Sequence, residues 1–381
     1  QATTAIDQPG ISAIKTTTGD MATAITDTAK RIVIDAPLVS GSFSLQGARI
    51  DDVVLTDYRE TQEVASENIQ FLKKISGNNS FFAEFGWAVS DTQQTMPGAD
   101  TLWTASGDVL SPAKPVTLTW NNDNGLIFTR TIAINDDYII TFDDVITSSL
   151  DTALTVFPYG LVRRHGTPPT SGIYILHEGA LGVFDETLSE EDYDDIKDAD
   201  GGVSKIDPEQ PGGWIGFTDK YWLVSLIPDG NAKITGRVTY TANRDQYQID
   251  MLGAGQEIPA GETISVKSHI FAGAKEVQLL DRYSEEYSIP RFDRAVDFGW
   301  FYFLTKPFFF AIDFLYGILG NFGLAILAFT VVVKLVFFPL ANKSYKSMSI
   351  LRKLQPRMTE LREKYADDKM RLQQEMMKLY K

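Results

Sequence analysis

The sequence predicts an all-β domain of the sandwich or barrel type, followed by an α-helical part that enters a membrane. Three observations carry this reading. Short strand-like runs separated by turns fill residues 31–275. The 20 residues Phe322–Ala341 hold a single charge, Lys334. Charge also divides by sign: residues 1–290 contain 20 basic and 42 acidic side chains, whereas residues 291–381 contain 15 and 8.

Composition narrows the chemistry. The chain has 381 residues and a net charge of -15, with no cysteine and three histidines, His165, His177 and His269. Disulfide frameworks, thiolate metal sites and cysteine nucleophiles are excluded, and a histidine-rich metal centre is not expected. No G-x-x-x-x-G-K-[ST] sequence occurs, so no nucleotide or other cofactor is expected. The overall acidity argues against a general nucleic-acid binder.

Taken in order, residues 1–30 are rich in Thr, Ala, Asp and Ser and read as a flexible tether. The runs RIVIDAP, GSFSLQG, KPVTLTWNN, GLIFTRTIAI, YIITFDDVI, GGWIGFTDKYWLVSLIP, KITGRVTYTA and ISVKSHIFAG alternate apolar and polar residues or form short β-branched stretches. Asn122-Asp123-Asn124-Gly125 lies between two of them and signals a hairpin. Many short strands of this kind predict a large antiparallel sandwich or barrel. Within it, Ala65–Ser76 is the best candidate for a short helix. The acidic run 185–200 reads as an exposed loop. Asp198, Asp200 and Gly201 match positions of a calcium-binding EF-hand loop, but the first ligand position would be Ile196, so the spacing fails.

Residues 291–321 are dense in aromatics, with nine phenylalanines from Phe292 to Phe322. They read as an amphipathic helix in the membrane–water interface, with Trp300, Tyr302 and Tyr316 near headgroup level and a hinge at Gly320-Asn321. Residues 322–341 form the span, because twenty helical residues rise about 30 Å, the thickness of a bilayer core. Leu351, Leu354, Met358, Leu361 and Tyr365 are then spaced 3, 4, 3, 4, a coiled-coil seam that breaks at Ala366-Asp367-Asp368. Leu372, Met376 and Leu379 begin a second seam, so residues 342–381 predict an incomplete helical hairpin.

Basic residues follow the span (Lys343, Lys346, Arg352, Lys353, Arg357), which places this end in the cytoplasm and the acidic domain outside. The opening QATTAIDQPG has neither Met nor an apolar signal region, so a signal or a first span is expected upstream.

The pieces FGW, GNFGLAI, the span closing in FFPL, then KLQP and the DDK…QEMM.LY run resemble the YidC membrane protein insertases of Gram-negative bacteria. SLQGARIDDVVLTDY and GGWIGFTDKYWLVSLIP resemble the periplasmic region of the same family, and the likeness covers residues 31–381. The resemblance implies that residues 31–290 are a periplasmic β-supersandwich similar to sugar-binding and mutarotase domains. It also implies a first span before it and four spans after the hairpin, so the chain reads as a fragment of a multi-pass inner-membrane protein. The implied activity is insertion and folding of inner-membrane proteins, alone or with the Sec translocon, through a hydrophilic groove and without covalent catalysis. Nascent membrane proteins, the Sec translocon and its accessory subunits, the ribosome, the signal recognition particle receptor and the lipid bilayer are the implied partners.

Lys334 is the residue on which that mechanism turns. It lies seven residues before Ala341, about 10 Å into the span. An ionisable residue at that depth costs several kcal/mol if it faces lipid, and so faces a wet cavity or snorkels to the interface. Thr330 shares its helix face. The family typically has arginine at Lys334 and threonine at Thr330; lysine keeps the charge and loses the planar fork. The hairpin, with Arg352, Lys353, Arg357, Asp367 and Asp368, is the implied docking surface for targeting factor, ribosome or translocon. Two other classes remain open: an enzyme using one of the histidines with a carboxylate, and a membrane-anchored carbohydrate- or peptide-binding module.

Overall fold

Alternation decides the first strand: in Arg31–Asp35, Ile32 and Ile34 are buried while Val33 is half exposed. The same two-residue period recurs in Leu126–Ile134 and Ile139–Ser148, whereas Gly179–Phe184 and Gly213–Thr218 are buried along their whole length. In the computed structural model the residues described are 29–380, apart from 64, 75–78, 90–92, 171–175, 231 and 366–368. The tether read over residues 1–30 therefore lies almost wholly outside them. The chain divides into one compact unit ending at Asp297 and a second beginning at Phe298.

The first unit carries the strands β1 (Arg31–Asp35), β2 (Val39–Ser44), β3 (Ile50–Arg59), β4 (Asn68–Leu72), β5 (Phe81–Val89), β6 (Thr104–Ala105), β7 (Val109–Leu110), β8 (Val116–Asn121), β9 (Leu126–Ile134) and β10 (Ile139–Ser148). They continue as β11 (Leu154–His165), β12 (Gly179–Phe184), β13 (Thr187–Asp192), β14 (Val203–Pro211), β15 (Gly213–Thr218), β16 (Trp222–Pro228), β17 (Lys233–Thr241), β18 (Gln246–Gly253), β19 (Gln256–Ile258) and β20 (Thr263–Ala274). One sheet has 11 strands in the order β14-β17-β18-β11-β5-β3-β2-β1-β7, with β19 and β4 attached to β11 and β3. The other has nine, in the order β13-β12-β15-β16-β20-β10-β9-β8-β6. Pairing is antiparallel except between β1 and β7. The sandwich expected from the sequence is thus the fold observed, and its inward faces share one hydrophobic core.

One charged pair is embedded in that core. Arg130 on β9 faces Asp144 on β10 and binds it with two hydrogen bonds, of 2.6 and 2.7 Å. Arg130 also donates to the carbonyl of Phe85 in the opposite sheet, and the indole of Trp87 donates to Asp144 at 3.0 Å. The pair therefore ties the two sheets together and leaves few lone pairs unsatisfied.

The hairpin at Asn122–Gly125 forms as expected between β8 and β9. Asn122 Oδ1 accepts from the backbone of Asn124 and Leu126, and Gly125 takes a φ of 90°. Two local expectations are corrected. The helix placed on Ala65–Ser76 is instead strand β4 across Asn68–Leu72, because Phe71 and Leu72 are buried and the segment pairs with β3. The acidic run is no free loop: it forms strand β13 and the helix α1 (Tyr193–Asp198). Tyr193 and Ile196, three apart on α1, are buried on one face while Asp194, Asp195 and Asp198 stay exposed on the other. The unit closes with α2 (Val277–Glu286), which buries Leu279, Leu280 and Tyr283. Trp214 then donates to the carbonyl of Pro290 at 3.0 Å.

The second unit is helical: α3 (Tyr302–Leu319), α4 (Phe322–Lys364) and α5 (Lys369–Tyr380). Gly320 ends α3 in the left-handed region at φ 64°, and Asn321 caps α4 by accepting from the backbone of Leu324 at 3.1 Å. The expected hinge is therefore a helix C-cap followed at once by an N-cap. α3 folds back along α4, with the Phe308 and Phe329 rings 5.1 Å apart.

Candidate functional site

The polar groups of the second unit have to be read against its apolar surface. Along α4, Leu335, Val336, Phe338 and Leu340 are each more than 60% exposed, and on α3 so are Phe303, Phe314 and Ile318. Apolar surface of this extent marks a face that lipid or another protein segment covers. Both helices are long and apolar enough to cross a membrane, by length and composition.

On α4 the residues facing α3 form the stripe Ala325, Phe329 and Val333, of which Ala325 is fully buried. Thr330 and Lys334 lie one residue further on, about 100° around the helix, and both are exposed. The Thr330 hydroxyl donates to the carbonyl of Ile326 at 2.8 Å, which satisfies it without a partner from another helix. The structure thus puts the two residues singled out in the sequence on one side of α4, bordering its contact with α3, with the ammonium open to its surroundings. They can offer one positive charge and one hydroxyl to a polar group arriving beside an otherwise apolar helix.

The basic residues of the expected hairpin lie further along the same unbroken helix. Arg352, Lys353 and Arg357 are exposed, whereas Leu354, Met358, Leu361 and Tyr365 are half buried. The apolar stripe continues to the end of α4, and Leu372 on α5 is half buried as well. Asp367 and Asp368 lie outside the described residues. α4 and α5 are separate helices on either side of them.

α3 carries its own pattern. Tyr302, Lys306, Asp313 and Tyr316 fall within about 80° of arc, at about 100° per residue, and the remaining positions are almost all apolar. Lys306 places its ammonium 5.4 Å from the centre of the Tyr302 ring.

The histidines of the outer unit are engaged locally. His165 Nδ1 lies 2.5 Å from the Ser80 hydroxyl, and burial together with nearby Arg163 pushes its pKa down. His177 bonds Asp192 at 2.8 Å and the carbonyl of Ala180 at 2.9 Å. His269 lies 3.0 Å from the Thr141 hydroxyl, edge-on to Tyr287, and burial lowers its pKa to about 4. The described residues bring together no group of three or more His, Cys, Asp or Glu able to hold a metal ion. Sequence reading missed the Arg130–Asp144 pair; its one signal is charge in the middle of strand-like runs, at LIFTRTIAI and IITFDDVI.

Two family models match the chain: YidC periplasmic domain over residues 31–311, and 60Kd inner membrane protein over residues 314–381. The membrane protein insertase YidC of Rickettsia felis is 43% identical over 357 residues, 92% of this chain and 63% of that protein. That of Granulibacter bethesdensis is 45% identical over 92% of this chain and 62% of its own length. The chain therefore spans somewhat under two thirds of the relatives it matches. Among solved structures, a galactose mutarotase-like protein from Lactobacillus casei is 10% identical, with a TM-score of 0.40, over 64% of this chain and 99% of that one.

Proposed function

The chain belongs to the YidC family, and from that premise we propose that it is the periplasmic domain and an adjoining membrane-entering portion of a protein that inserts other proteins into the bacterial inner membrane. The observation that carries this reading is Lys334, the one charge in a 20-residue apolar stretch, exposed beside Thr330 on α4. A lysine so placed costs about 3 kcal/mol at the centre of a bilayer, so its presence there calls for a function or a wet surrounding.

The mechanism is non-covalent. The ammonium of Lys334 attracts acidic or polar residues of an incoming protein's external tail and holds them in a hydrated groove. Meanwhile the adjacent apolar segment of that protein partitions into lipid, which supplies the driving force. The groove lowers the barrier for the polar part alone. Residues 341–381, with 11 basic and 5 acidic side chains, stay in the cytoplasm and offer a cationic hairpin to the ribosome, the signal recognition particle receptor or anionic lipid. The acidic outer domain lies in the periplasm. Docking to the Sec translocon belongs to the same reading.

In this arrangement α3 leans from the outer membrane–water interface into the outer leaflet beside α4, against which Phe308 packs. Its narrow polar stripe faces water, and its exposed phenylalanines enter the acyl region, with Trp300, 99% exposed, at headgroup level.

The test is an insertion assay with the full-length parent in liposomes, using a single-span substrate with an acidic external tail. Lys334→Met is expected to reduce insertion on the order of tenfold, which corresponds to about 1.4 kcal/mol. Lys334→Arg retains it, because charge and not geometry is required. Full insertion by Lys334→Met would overturn the proposal.

A further inference from the structure

Three strands of the outer domain bring two cations and a histidine to one small pocket. Lys73, just past β4, exchanges backbone hydrogen bonds of 2.7 and 3.0 Å with Phe81, the first residue of β5. Phe81 in turn stands opposite Arg164 on β11. Lys73, Phe81 and Arg164 are thus consecutive cross-strand neighbours, whose side chains share one face of the sheet. The guanidinium of Arg164 lies over the Phe81 ring, 4.6 Å from its centre. It is held from behind by Asp219 at 2.8 Å and by the Tyr193 hydroxyl at 3.1 Å.

One residue further along the same ladder, the His165 backbone N–H donates to the carbonyl of Ser80 at 2.8 Å, beside the contact between their side chains. Lys73, Arg164, His165, Ser80, Asn79 and Gln70 line a pocket of about 100 Å³. A space of this size is several times what one water molecule needs, so it admits a compact group of about five heavy atoms.

Charge indicates what that group is. Residues 1–290 contain 42 acidic and only 20 basic side chains, yet among the described residues no carboxylate lines this pocket. Asp219 balances one of the two cations from outside it. A net positive charge remains, and the Ser80 hydroxyl and His165 imidazole, bonded to each other one residue along the ladder, border the same pocket. Arginine and lysine converging with short polar side chains is the chemistry that receives a tetrahedral oxyanion.

We propose that this pocket binds a phosphate group, either free or carried on the headgroup of a phospholipid. The test uses the full-length parent in maltoside micelles, which contribute no phosphate, with calorimetric titration by inorganic phosphate and, separately, by the soluble headgroup glycerophosphoglycerol. Saturable binding of either is the expected result, and the tighter ligand identifies the source. Lys73→Gln is expected to weaken it at least tenfold. Lys74→Gln is expected to leave it unchanged, since the Lys74 ammonium pairs with Asp52 at 3.2 Å. Both lysines have exposure enough for their variants to fold, which an unchanged melting temperature verifies. No saturable binding of either probe, or equal binding by Lys73→Gln, would overturn the assignment.

Discussion

Arg130 and Asp144 are direct cross-strand partners in the middle of the outer domain, and Arg130 is 1% exposed. Removing one member leaves the other charged and buried. Asp144→Ala is therefore expected to destabilise the domain by about 3–5 kcal/mol. Replacing both with apolar residues of similar volume is expected to cost far less, because no charge is then stranded. Urea denaturation followed by tryptophan fluorescence compares the two; a single substitution costing under about 1 kcal/mol would refute the account of this pair.

The cap at the α3–α4 turn gives a second prediction. Gly320 holds a left-handed conformation that a side chain resists, so Gly320→Ala is expected to cost about 1 kcal/mol. Asn321→Ala removes the cap to Leu324 at a similar cost. Reduced thermal stability of the helical signal in micelles for both variants, but not for Asn342→Ala in the middle of α4, is the expected pattern.

His269 makes stability depend on acid. In the folded chain it keeps a pKa of about 4, whereas the unfolded histidine titrates near its usual 6.5. Between those values the unfolded state binds more protons, so stability is full above pH 6.5 and falls as pH drops towards 4, by roughly 3 kcal/mol at most. The stability difference between the parent and His269→Gln, measured in urea at pH 7 and at pH 4.5, should shrink at the lower pH. A difference independent of pH would contradict the burial argument.

The folding of the acidic run around Tyr193 and Ile196 predicts a cost where an exposed loop would show none. Ile196→Ala is expected to destabilise by about 2–4 kcal/mol, while Asp198→Ala, on the exposed face, stays within about 0.5 kcal/mol. The same denaturation curves decide it.

How far the sequence was legible follows from the range of each interaction. The β8–β9 hairpin, the Gly320-Asn321 cap and the apolar stretch around Lys334 are set by residues within a few positions of one another, and each was found where the sequence placed it. Ala65–Ser76 reads as helix in sequence because the apolar run NIQFL inside it is too short for its period to distinguish helix from strand; pairing of Asn68–Leu72 with β3 decides it. The acidic run concealed α1 because seven carboxylates from Glu190 to Asp200 outweigh two apolar anchors in composition but not in burial. The phosphate pocket could not be read at all. Lys73, Phe81 and Arg164 become neighbours only through sheet register, and nothing in the spacing of 8 and 83 residues announces it.

The insertion account rests on contact between Lys334 and incoming protein, and site-specific photo-crosslinking measures that contact directly. A photoreactive residue is placed at position 334 of the full-length parent, or in a second preparation at exposed position 198. Ribosomes stalled on a single-span membrane protein are then supplied and adducts to the nascent chain counted. The account predicts adducts from position 334 and none from position 198; equal yields at the two positions, or none at 334, would contradict it.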